Sequence, residues 1–133
     1  MKKIVIIICI ALVLIVFFFV LFPIGTDTRK EQLERSVAGR MKYFHLKIKK
    51  YFVLEKKYPE SINIMIEKGY LEKADKATLF DNWDGEIRYI YSKDGYKLIS
   101  NGADKKMDTK DDIVLDSKNV DEFCKKYNLT GDR

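Results

Sequence analysis

The chain has 133 residues, of which 34% are charged and 47% hydrophobic, with a formal net charge of +5. That length fits one domain and excludes a large multidomain enzyme, a TIM barrel or a polytopic transporter. The apolar residues are concentrated at one end, so the remainder is more highly charged than the average.

Ile4 to Phe22 is an unbroken apolar run without charge, glycine or proline. As a helix it would span about 28 Å, the thickness of a bilayer core. It is longer than the core of a cleaved signal peptide and offers no small-residue cleavage site. Residues 1–25 are therefore expected to form an uncleaved membrane anchor, and residues 26–133 an ectodomain. Lys2 and Lys3 precede the run. Basic flanks stay in the cytoplasm, so the expectation is a single pass through the inner or cytoplasmic membrane, with the C-terminal domain outside. Cys9 falls inside the run and Cys124 far from it, so no disulfide is expected.

Leu33, Val37, Met41, Phe44, Ile48 and Tyr51/Phe52 recur at steps of three and four, which predicts an amphipathic helix over about 28–56. Pro59 ends it. Ser61 then opens a short helix over about 61–68, with Gly69 as its stop. Beyond Leu79 the pattern changes to strands. Glu86–Tyr91 alternates, Ser92-Lys93-Asp94-Gly95 is a turn, and Tyr96–Ser100 alternates again. Ile113–Leu115 is a third short run, and Val120–Tyr127 a terminal helical turn. The predicted fold class is α+β: a membrane helix continuing into a long amphipathic helix, packed on a small antiparallel sheet.

The chemically dense stretch lies between the second and third strand runs. Asp104, Asp108, Asp111 and Asp112 follow Ser100 closely, with Lys105, Lys106 and Lys110 among them. Carboxylates, hydroxyls and loop carbonyls are hard oxygen donors of the kind calcium takes in groups of about six to eight. The absence of nearby His or Cys disfavours zinc, and the spacing is not that of an EF-hand. A solvated loop, its charge balanced by its own lysines, explains the composition equally well.

Leu79-Phe-Asp81-Asn-Trp83-Asp-Gly85-Glu-Ile-Arg-Tyr89-Ile-Tyr91 resembles the D-P-W-G-x-x-Y-x-Y signature of the major pseudopilins of type II secretion, the general secretion pathway protein G family. Gly95-Tyr96-Lys-Leu98-Ile-Ser100-Asn-Gly102-Ala103-Asp104 with Asp111-Asp112-Ile113 resembles that family's Y-x-L-x-S-x-G-A-D-G…DDI calcium loop. Tyr58-Pro59 and Gly69-Tyr70-Leu71 are similar to its linker. This chain has Asn82 where the family has proline and Lys105 where it has glycine, and its apolar run carries no glutamate.

The resemblance implies a pilin-like structural subunit that binds Ca²⁺. By position, its ligands would be the Ser100, Asp104, Asp111 and Asp112 side chains, with the Ile99 and Met107 carbonyls as further candidates. Implied partners are the membrane, other pseudopilin or secretion-system subunits, and further copies of the chain. Trp83 and Tyr89 are expected to support the loop as core aromatics. The alternative is a bitopic protein with a pilin-like ectodomain that does not polymerise and serves as an accessory module.

An enzyme is not expected. The single histidine, His45, falls near the apolar stripe of the long helix, and no nucleophile, phosphate-binding or zincin motif is present. No small-molecule substrate is expected. Acidic and basic residues are interleaved rather than gathered in a basic patch, so no nucleic-acid partner is expected either.

Overall fold

The computed structural model describes residues 28–129. The expected anchor, Ile4–Phe22, lies outside them. Among the described residues no helix is long and apolar enough to cross a membrane.

Helix α1 runs Arg29–Glu55, 27 residues or about 40 Å. Its start is fixed by a capping box: the Thr28 hydroxyl accepts from the Glu31 amide, and the Glu31 carboxylate accepts from the Thr28 amide. Thr28 is itself extended, so this cap fixes where α1 begins. Lys56, in the left-handed region, closes the other end. Val37, Ala38, Met41, Phe44, Ile48 and Tyr51 are buried, as the periodicity predicts. Phe52 instead lies at the edge, stacked on Tyr58.

Helix α2, Ile62–Glu67, is capped by the Ser61 hydroxyl accepting from the Ile64 amide. Gly69 at φ 75° allows the Tyr70 amide to turn back to the Met65 carbonyl. A 3₁₀ helix over Lys73–Leu79 follows, which the hydrophobic pattern does not announce.

Strands β1 (Arg88–Ser92), β2 (Gly95–Ser100) and β3 (Ile113–Asp116) form an antiparallel sheet in chain order. Tyr89, Leu98 and Leu115 lie in one row across it. Alternation puts Tyr96, Leu98, Ile113 and Leu115 inside, against the stripe of α1. Ile90, Tyr91 and Val114 are exposed. Helix α3, Val120–Lys126, covers β3 with Phe123. Trp83 and Tyr89 are half-buried against this core, and Cys124 is a free thiol beside it.

Candidate functional site

Ser100 ends β2 and pairs directly with Ile113, the first residue of β3. The intervening loop, 101–112, must therefore leave and re-enter the sheet at one point. Its side-chain oxygens close it by capping its own amides. Asp111 Oδ2 accepts from the amides of Ala103 at 2.7 Å and Asp104 at 3.1 Å. Asp104 Oδ1 accepts from the Lys106 amide, and Asp112 Oδ2 from the Asp108 amide, each at 2.9 Å. The Thr109 hydroxyl donates to Asp112 Oδ1.

Tight wrapping needs left-handed backbone, found at Gly102 (φ 66°), Lys105 (φ 56°) and Asp108 (φ 60°). Gly102 is required on a second count: a Cβ there would lie 2.2 Å from the Asp111 carbonyl oxygen.

A cation reaches this loop from a distant element. The Lys30 ammonium, in the first turn of α1, donates to Asp111 Oδ1 at 2.8 Å and lies 3.7 Å from Glu34. The Lys30 bond, followed by the Asp104 amide, holds the Asp111 carboxyl below its ordinary value, and Asp111 in turn raises Lys30.

Ser100 does not belong to this acidic face. It is fully buried, donates to Asp81 Oδ2 at 2.6 Å and accepts from the Gly102 amide at 3.2 Å. Asp81 is buried too, and its Oδ1 accepts from the amides of Trp83 and Gly85. Gly85 lets that carboxylate lie close over the backbone, since a Cβ would stand 2.7 Å from Oδ2. This 81–85 turn is fastened to α1 from both sides. The Asn82 side-chain Nδ2 donates to the Leu33 carbonyl at 2.8 Å, and Arg40 donates to Asn82 Oδ1 and the Phe80 carbonyl. Asn82, standing where the resembled signature has proline, thus has a bonding role of its own.

The four side chains expected to hold calcium are brought to one end of the sheet but not into one cage. Asp104 and Asp111 are joined through a backbone amide, Asp112 serves the neighbouring turn, and Ser100 faces Asp81. Ile99 sits inside β2 opposite Val114, and Met107 is exposed. Among the described residues no three acidic, histidine or cysteine side chains gather to hold a metal ion. The donor atoms have the hardness calcium prefers, but their arrangement does not fit it, because their lone pairs are directed at amides and an ammonium.

Sequence reasoning missed Asp81 and Lys30. The first sat within the tryptophan motif, where its neighbours drew attention to the aromatic ring. The second carried no local signal, since its partner lies 81 positions away.

His45 lies elsewhere, on the wall of a groove of about 800 Å³ that also includes Lys49, Phe52, Tyr58 and Tyr96. Its Nδ1 is 2.6 Å from the Tyr96 hydroxyl. Burial, then Lys49, lowers its pKa, and burial raises that of Tyr96.

Comparison with protein-family models, with curated proteins and with solved structures finds no significant match.

Proposed function

We propose that the chain is a membrane-anchored, pilin-like structural subunit of a type II secretion or related pilus-like apparatus. The observation that carries this reading is a 27-residue helix whose apolar stripe packs on a small antiparallel sheet in one core. A helix of about 40 Å, with its own cap at Thr28, supports a three-stranded sheet whose last loop is tied back to the helix's first turn. The tryptophan motif and the G-A-D…DDI spacing support the same reading by resemblance. Calcium enters through that resemblance and through donor chemistry alone.

The subunit would sit in the inner or cytoplasmic membrane, with its head outside and its contacts made to like or related subunits. Two measurements on the full chain in native membranes test this: chemical cross-linking, and mass spectrometry of its N-terminus. Ladders of cross-linked copies or of co-assembled subunits are expected. A chain that stays monomeric at every cross-linker concentration overturns the polymerising reading and favours the bitopic accessory module.

A further inference from the structure

We infer that Lys30 is the resident cation of the acidic loop, a tethered ammonium in the role that the resemblance gives to calcium. The inference stands on the loop geometry and not on the pilin-like reading.

The Lys30 nitrogen bridges two carboxylates from different elements, Asp111 of the loop at 2.8 Å and Glu34 of α1 at 3.7 Å. Asp111 is thereby fully engaged: one oxygen faces the ammonium, the other the amides of Ala103 and Asp104. A divalent ion at Asp111 would have to displace Lys30 and at least one amide. It would then lack further gathered carboxylates, because Asp112 and Asp104 each hold an amide of their own. An ammonium on a covalent tether also needs no free cation in solution, so the loop closes at any calcium concentration.

Removing the ammonium frees only Asp111 Oδ1 and Glu34, and the like charges of those two carboxylates repel. Asp104, Asp112 and the second Asp111 oxygen still hold backbone amides, so the site remains far short of the about six to eight oxygens that calcium takes. The ectodomain of a Lys30→Met chain should thus lose stability without gaining calcium dependence.

The test is thermal unfolding of the full chain in mild detergent, in EGTA, in CaCl₂ and in NaCl of matched ionic strength. Calorimetric titration with CaCl₂ accompanies it. Wild type and Lys30→Arg should keep the same midpoint in all three, with no binding heat. Lys30→Met should melt about 2–4 °C lower in all three, as the loss of an exposed ion pair implies, and still show no binding heat. A wild-type midpoint that rises with CaCl₂ overturns the inference, and so does a Lys30→Met chain with the wild-type midpoint or with one that CaCl₂ restores. Should Lys30→Met fail to fold, the wild-type arm decides alone. Neither failure bears on whether the chain polymerises, which cross-linking reads separately.

Discussion

Replacing Asp81 by alanine should unfold the ectodomain far more readily than its place in a surface turn suggests. The carboxylate receives three hydrogen bonds, from the Trp83 amide at 2.9 Å, the Gly85 amide at 2.8 Å and the Ser100 hydroxyl at 2.6 Å. The Ser100 hydroxyl is fully buried, and a buried donor left without its acceptor costs about 1–3 kcal/mol. The two amides are only partly buried and can turn to water, at a net loss of about 0.5–1.5 kcal/mol each. The sum is about 2–6 kcal/mol, centred near 4. For a domain near 100 residues a loss of about 4 kcal/mol lowers the melting midpoint by roughly 16–32 °C.

Unfolding of the full chain in detergent would be followed by circular dichroism and by fluorescence of Trp83, the single tryptophan, whose amide is one of the three donors. A double-mutant cycle sharpens the test. Ser100→Ala removes the donor that Asp81→Ala leaves unsatisfied, so the double variant should cost about 1–2 kcal/mol less than the sum of the singles. An Asp81→Ala chain within about 0.5 kcal/mol of wild type, or singles that add within about 0.5 kcal/mol, would refute the account of this turn.

Two glycines should respond in opposite directions to alanine. At Gly102 the left-handed φ and the Asp111 carbonyl both oppose a Cβ, so denaturant titration should show a loss of about 2–4 kcal/mol. At Gly39, inside α1 with nothing within 4 Å of the added carbon, it should show a gain of about 0.5–1 kcal/mol. Lys105→Gly should be neutral or stabilising by up to about 1 kcal/mol in the same titration, since φ 56° burdens a lysine and not a glycine. Because folding lowers the pKa of His45 below its ordinary 6.5, the unfolded chain takes up a proton first as pH falls. Stability present above pH 6.5 should therefore decline below it. Melting midpoints at a series of pH values should show this, with a flatter profile for His45→Gln, and equal slopes in the two chains would contradict it.

The elements the sequence announced are those whose signal is local. Six apolar positions at helical spacing locate α1 to within a residue, and Ser61 and Gly69 bracket α2 because capping chemistry acts over three or four residues. The Lys93–Asp94 hairpin is legible for the same reason. Lys73–Leu79 was not, because only Leu79 of that segment is buried and the tract lacks an apolar repeat.

The acidic loop is legible in the sequence but its hydrogen bonding is not, since an aspartate that caps amides and one that binds a cation look alike in one dimension. What distinguishes them is the direction of the lone pairs, and that depends on backbone turns at Gly102, Lys105 and Asp108. Asp81 and Lys30 owe their roles to partners 19 and 81 positions away, beyond any periodicity.

The strands of the sheet lie in the order in which the chain is made. A chain made in that order can add each strand to one already in place, with the short β1–β2 hairpin as the first closure. The contacts that join distant parts of the chain come last, Lys30 to Asp111 and the Lys42 ammonium to the Leu129 carbonyl at 2.7 Å. Loop-closure entropy grows only slowly with length, so these long-range seams cost little more stability than shorter ones would. They leave the finished head latched at both ends of its route, having needed no strand to be threaded between two others.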